Sequence, residues 1–263
     1  MTTKVFAPSS VTGLFAPAEE NEPSRGASFA IEDGVTVALN LASETTVTVD
    51  GEPAEFEPVE RVLDALGVTA SVDVRPEIPL GHGFGASGAA TLATALAANA
   101  VTDGDRDRQA LLQAAHKAEL AAGTGQGDVF IQNRGGLLWT AEGEPRRVEA
   151  DVAVEYVSQG GIDTREMLAD ETAMSAARRS GTEHLGAIDP PLTMRLLAER
   201  SWRYVQETGF ATDFVTETVN RVEDAGGAGS MALFGDAVFA VDVTDVLTNR
   251  TRVSTTGAHL LED

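Results

Sequence analysis

Cysteine is absent from the 263 residues, which excludes a disulfide scaffold and every thiolate metal site. Lysine is nearly absent. Lys4 and Lys117 are the only two; the other 17 of the 19 basic residues are arginine, set against 41 acids. A formal charge of −22 argues against nucleic acid as a partner, because binding to phosphate backbones relies on clustered Lys and Arg. It disfavours an anionic membrane surface for the same reason. Long apolar runs are missing too. The Ala-rich stretch Gly88–Val101 is shorter than the roughly 20 apolar residues needed to span a bilayer. Pro8, Ser9, Ser10 and Pro17 interrupt the apolar patches near the N-terminus, where a signal peptide needs about 7–15 unbroken apolar residues. A cytoplasmic protein is expected.

The chain is 43% hydrophobic and its acids are scattered rather than blocked into runs, so it reads as folded with an acidic surface, not as disordered. Many acids with few lysines resemble the proteins of salt-loving archaea. The length suits one large domain or two modest ones. Short strands are expected at Lys4–Ala7, running into a Pro-Ser-Ser loop, and at Ser28–Ile31 and Val35–Leu41, paired through an Asp33-Gly34 turn. Thr45–Val49 is a further strand, closed by Asp50-Gly51. Val59, Val62, Leu63 and Leu66 have helical spacing, and Gly67 ends that helix. Ser71–Val74 reads as a strand, an Ala-rich helix runs to about Ala100, and Arg108–Ala121 is another helix. Val129–Ile131 and Gly136–Thr140 read as strands. Beyond a boundary near residue 150 come the strand Val152–Val157 and helices over Thr164–Gly181, Pro190–Thr208 and Asp213–Ala225. Strands Ser230–Phe234 and Ala237–Val243 follow, then an edge strand within Arg252–Leu261. Without a regular βαβα rhythm, the class is α+β, with domains at 1–150 and 151–263.

Four glycines stand in eight residues at Gly81-His82-Gly83-Phe84-Gly85-Ala86-Ser87-Gly88. The segment satisfies G-x-G-x-x-G, but Pro76 and Pro79 separate it from the preceding strand and no second strand follows the helix, so a dinucleotide fold is rejected. G-x-x-x-x-G-K-[ST] is absent. A capping loop is one reading of the cluster. The other is a phosphate cradle: helix N-terminal N–H groups are unpaired and favour an anion, small residues let a phosphate approach, and Ser87 adds a hydroxyl for Mg²⁺ or a phosphate oxygen.

Pro79-Leu80-Gly81-His82-Gly83-Phe84-Gly85-Ala86-Ser87-Gly88-Ala89 resembles the second motif of the GHMP kinases, P-x-x-x-G-L-G-S-S-A-A, with Phe84, Ala86 and Gly88 as departures. Ala7–Gly13 resembles the family's first motif, with Ser9-Ser10 where Gly-His is usual. Gly226–Ala232 resembles its third. Within the superfamily, Thr12-Gly13-Leu14-Phe15, Ser24-Arg25-Gly26-Ala27 and Gly123-Thr124-Gly125-Gln126-Gly127-Asp128-Val129 resemble segments of the archaeal pantoate kinases. Gly161-Ile162-Asp163-Thr164 resembles a further small motif.

The resemblance implies a two-domain GHMP kinase fold with the phosphate loop in the N-terminal domain and a smaller C-terminal sheet-and-helix domain. It implies ATP and Mg²⁺ as cofactors, and transfer of the γ-phosphate to the hydroxyl of pantoate or, as the alternative, of another small hydroxy compound such as homoserine, shikimate or mevalonate. A catalytically silent binding protein of the same fold stays open. Gly81, Gly83, Phe84, Gly85, Ala86, Ser87 and Gly88 would hold the phosphates, with Ser87 and Glu119 on the metal. Asp128 would accept or orient the hydroxyl proton. Arg25 would fork onto the substrate carboxylate, as a guanidinium can. Ser10 and Thr12 would touch substrate, and Lys117 a phosphate. Gly226–Gly229 would pack against the phosphate loop, and relatives imply a homodimer. Both substrates are anions, so the site must supply its own positive potential within an acidic field that brine screens, with a Debye length of about 3 Å at 1 M.

Overall fold

The computed structural model describes residues 2–18, 24–162 and 164–262. In chain order the elements are β1 (Thr3–Ala16), β2 (Arg25–Leu41), β3 (Thr46–Val49), β4 (Glu52–Pro53), α1 (Glu57–Leu66), β5 (Ala70–Pro76), α2 (Ala86–Val101), α3 (Arg108–Ala122), α4 (Asp128–Arg134), β6 (Leu137–Trp139), β7 (Arg146–Val148), β8 (Ala153–Gly161), α5 (Thr164–Ala169), α6 (Glu171–Gly186), α7 (Met194–Thr208), α8 (Asp213–Asp224), β9 (Ala228–Met231), β10 (Gly235–Val241), β11 (Asn249–Arg252) and β12 (His259–Leu260). They build two sheets, as the α+β class requires. One has the order β12-β1-β2-β5-β3-β4, with β6 and β7 attached through β2; the other has the order β11-β8-β10-β9.

Burial alternates along β5 and the second half of β2, while β1 is buried on both faces from Ala7 onward; α2 packs on one face of this sheet. Twelve of the sixteen residues of α2 are buried. Its alanines let α1, α3 and the sheet approach from every side, so the helix is apolar all round rather than striped. A second, larger core lies between the other face of β1–β2, the second sheet and helices α6, α7 and α8. Gly67, with φ 69°, closes α1 as expected, its N–H reaching back into the helix.

Three strand expectations are corrected. β1 does not stop at Ala7: it continues through Pro8, Ser9 and Ser10 to Ala16. Proline is tolerated because β12 covers β1 only at Val5 and Phe6, and because a bulge stands between Pro8 and Ser9. Asp33-Gly34 is not a hairpin turn. β2 is one 17-residue strand in which Gly34 faces Pro8 and Ile31 faces Ser9, so Glu32 and Asp33 bulge out. Gly34 is required there by space, since a Cβ would stand 2.4 Å from the Ala7 carbonyl and the Phe6 ring. The displaced Asp33 accepts hydrogen bonds from Tyr156 Oη at 2.7 Å and Thr251 Oγ1 at 2.8 Å, which ties the bulge to the second sheet. Val129–Ile131 belongs to helix α4, not a strand; three apolar residues cannot distinguish the two by periodicity.

Two further boundaries change. The helix expected over Thr164–Gly181 is two helices, broken where the Asp170 carboxylate caps the N–H groups of Thr172 and Ala173. Gly226 terminates α8, its N–H bonding to the Glu223 carbonyl, while Gly229 lies within β9. Hence Gly227 and Gly229 face Val222, Phe239, Val241 and Val243 rather than the phosphate loop, and a Cβ on Gly226 would meet nothing within 4 Å. The loop's partners come from the β9–β10 connection instead.

Candidate active site

The glycine cluster leads from β5 into α2, where Gly85 is the N-cap at φ 62°. No side chain caps this terminus, so its first N–H groups stay available to an anion. Gly81 and Gly83 also hold positive φ. One side of the loop rests on the second sheet. A Cβ on Gly83 would stand 2.8 Å from the Ala232 carbonyl oxygen and the Gly235 nitrogen, and one on Gly161 only 2.2 Å from the Gly81 carbonyl oxygen. His82 Nδ1 and Ser158 Oγ are hydrogen-bonded at 2.9 Å. Phe84 is buried with its ring 5.0 Å from that of Tyr156, and its carbonyl accepts the Ser10 N–H at 2.9 Å. Phe84 therefore anchors the loop from beneath. Ala86 and Gly88 are buried in the first turn of α2, and Ser87 is half-buried.

Ser87 Oγ donates to Glu119 Oε1 at 3.0 Å. Glu119, near the end of α3, is 2% exposed. It also accepts from Thr91 Oγ1 at 2.6 Å, one turn past Ser87 on α2, and from Thr124 Oγ1 at 2.8 Å. Burial pushes its carboxyl above the usual range; the three hydroxyls oppose this, and nearby Asp128 adds to it. Asp128 opens α4. Its Oδ1 accepts from Ser10 Oγ at 3.3 Å and Thr12 Oγ1 at 3.4 Å. The side chain keeps some solvent contact. Burial among protein atoms still raises its pKa, against the pull of those two hydroxyls. The two carboxylates converge on Gly125: a Cβ there would lie 3.0 Å from Glu119 Oε2 and 3.5 Å from Asp128 Oδ2. Neither has an ion-pair partner among the described residues. Paired, uncompensated carboxyl groups beside a helix N-terminus make this a candidate functional site, distinct from a structural ion pair.

The donors here are carboxylate and hydroxyl oxygens, the set a hard cation takes. No cluster of three or more His, Cys, Asp or Glu suited to a metal occurs among the described residues. A cation held by Ser87 and Glu119 and completed by phosphate oxygens and water fits this donor set.

The structure thus gathers Ser10, Thr12, the Gly81–Gly88 loop, Glu119 and Asp128 in one place. Ser10 is 1% exposed, so its hydroxyl serves Asp128 rather than open solvent. Thr12 also bonds Ser28 Oγ at 3.0 Å. Arg25 sits at the far end of the β1–β2 ladder, opposite Ala16. Its guanidinium donates to the Ala141 carbonyl and Thr182 Oγ1, both at 3.1 Å, and meets no carboxylate among the described residues. Lys117 is the correction. It lies exposed on the outer side of α3, lining with Arg61 and Arg106 a groove of about 540 Å³ between α1 and α3. Two residues along a helix is a rotation of about 200°, so Lys117 and Glu119 point opposite ways. Asp163, within the small motif after β8, lies outside the described residues.

Four contributors were missed: Ser28, Thr91, Thr124 and Gln132. Thr91 and Gln132 stand four residues after Ser87 and Asp128, the helical spacing that returns a side chain to the same face. That spacing was the available signal.

Residues 56–136 match the family described as the GHMP kinases N terminal domain. The chain is 28% identical over 268 residues to the pantoate kinase of Thermococcus kodakarensis, covering 92% of this chain and 88% of that protein. It is 24% identical over 255 residues to the pantoate kinase of Methanospirillum hungatei, covering 90% and 86%. Among solved structures, one titled as a phosphotransferase related to the CoA biosynthesis pathway superposes with a TM-score of 0.86 at 21% identity, over 99% of this chain and 98% of that one. Residues 56–136 thus carry a GHMP kinases N terminal domain, and nine-tenths of the chain is similar to two pantoate kinases.

Proposed function

We propose that the chain is an ATP-dependent pantoate kinase, forming 4-phosphopantoate for coenzyme A synthesis. The observation that carries a kinase reading is Asp128, an unpaired and raised carboxyl held beside the N-terminus of α2 and next to Glu119. The choice of pantoate rests on the two pantoate kinases that match some nine-tenths of the chain.

In this mechanism the Gly81–Gly88 backbone cradles the ATP phosphates. Ser87 and Glu119 would hold Mg²⁺, which would supply charge neutralisation on the phosphate oxygens. Arg25 forks onto the pantoate carboxylate. Asp128 accepts the proton as the acceptor hydroxyl oxygen bonds to the γ-phosphorus and the bond from that phosphorus to the β–γ bridging oxygen breaks, leaving ADP. A carboxyl with a raised pKa is a better proton acceptor than an ordinary one. Ser10 and Thr12 keep its Oδ1 occupied.

The test is ADP release by purified protein in molar salt with Mg-ATP, offered pantoate, homoserine, shikimate and mevalonate separately. Release with pantoate alone is expected. Release with another acceptor alone overturns the substrate, and release with none overturns the kinase reading. Arg25→Ala is expected to raise the KM for pantoate while leaving that for ATP; an effect on ATP alone would remove Arg25 from the carboxylate site.

A further inference from the structure

Gln132 is fully buried, yet it is a polar side chain whose hydrogen bonds all lead to the site. It lies one turn beyond Asp128 on α4. Its Nε2 donates to the Gly85 carbonyl at 2.7 Å and to Ser10 Oγ at 3.1 Å. Ser10 Oγ has a single proton. With the Gln132 N–H occupying its acceptor side, that proton is directed to Asp128 Oδ1 at 3.3 Å. One amide thus ties the phosphate loop to the carboxylate by a continuous chain, from Gly85 through Gln132 and Ser10 to Asp128.

Two glycines of the loop make room for it. A Cβ on Gly85 would stand 2.8 Å from Gln132 Nε2, and one on Gly88 3.0 Å from Gln132 Oε1. Gln132 Oε1 is buried without a protein partner, and leaving such a group unsatisfied costs stability. An apolar side chain of equal shape would avoid that cost only by leaving the Gly85 carbonyl and Ser10 Oγ without this donor, so what the amide supplies is the link between them.

We infer that Gln132 is a positioning residue that sets the phosphate loop and Asp128 in a fixed relation, so that the transferred phosphoryl group and the proton acceptor are aligned together. This rests on the kinase reading above, but half of it is measurable without any acceptor substrate, as nucleotide affinity.

The experiment compares wild type, Gln132→Met, Ser10→Ala and the double variant. Calorimetry with Mg-ADP reads the loop, steady-state kinetics with pantoate reads the chemistry, and thermal melting reads the fold. Gln132→Met removes both donors at similar volume. It is expected to weaken Mg-ADP binding about tenfold and lower kcat about tenfold, with little change in Tm. Ser10→Ala should lower kcat while sparing ADP affinity. The double variant should lose little more kcat than the worse single, because the two residues form one chain. Gln132→Glu keeps the side-chain size and reverses the polarity of the link to Ser10. It provides a second, well-packed test, with the same fall in kcat expected. The inference is overturned if ADP affinity and kcat stay within twofold of wild type in both Gln132 variants, or if the kcat losses of Gln132→Met and Ser10→Ala multiply. If wild type binds Mg-ADP but phosphorylates no acceptor, the pantoate kinase reading fails while the affinity comparison still decides the loop half.

Discussion

Two glutamates are both shut off from solvent, Glu119 deep in the protein and Glu155 just beneath its surface, and they behave oppositely. Glu119 is 2% exposed and Glu155 is 3% exposed. Glu155, on β8, accepts backbone N–H groups from Asp245, Val246 and Leu247 at 2.6–2.9 Å and lies 3.4 Å from Arg250. Burial alone would push it up, yet these donors hold its carboxyl below the usual range. Glu119 receives only hydroxyls, faces another carboxylate, and is pushed above that range. The lesson is that being shut off from solvent does not by itself decide what a carboxylate does; its depth and the fixity and sign of its partners do. Backbone N–H groups cannot turn away, so Glu155 is a brace for the 245–247 segment. Hydroxyls can rotate, so Glu119 is free to exchange them for another cationic or polar ligand.

The largest expected effect lies on the site side of this comparison. Asp128→Asn should reduce turnover by about 10² or more with folding intact, read by ADP release and circular dichroism; surviving activity would show that it is not the proton acceptor. Glu119→Gln should lower activity about 10²-fold and, unlike most losses of function, raise Tm in metal-free buffer. The sign follows from its raised pKa: the ionised form is disfavoured in the folded state, so the penalty grows as pH rises through the folded pKa, and the gain from the neutral amide grows with it. A fall in Tm would break the contrast.

Glu155→Ala should do the reverse, leaving kinetic constants of the folded fraction near wild type while removing about 3 kcal/mol of stability, because three backbone donors lose their acceptor. Its depressed pKa means the contribution is present above the ordinary carboxylate range and is lost as pH falls through the folded pKa. Urea melts of wild type and variant should therefore converge in acid. The smallest effect is for Lys117→Ala, whose KM for ATP should stay within about twofold, as for surface charges far from the chemistry.

The parts of the fold legible in the sequence were those set by local rules. Gly67 stops α1, the glycine loop opens α2, and Asp50-Gly51 turns β3 into β4 with both residues at positive φ. What stayed hidden depended on distant partners. Asp33-Gly34 has the composition of a hairpin turn, and only the approach of Phe6 and Ala7 from β1 makes it a bulge. α4 is too short for its period to register. For Gln132 the sequence offers only its place one turn after Asp128, because its partners, Ser10 and Gly85, are 122 and 47 residues away in the chain. The separation of Lys117 from Glu119 was legible, since the helical period already turns the two apart.

The seating of the glycine loop on the second sheet has a thermodynamic consequence. Gly81 against Gly161, Gly83 against Ala232 and Gly235, His82 on Ser158 and Phe84 on Tyr156 leave the loop few alternative conformations before any ligand arrives. Glycine backbone is otherwise the most freely varying in a chain, and ordering it at the moment of binding would subtract from affinity. Here that entropy is surrendered once, during folding, by contacts with a sheet that begins some seventy residues later in the chain. The nucleotide then meets a surface that no longer has to be assembled around it.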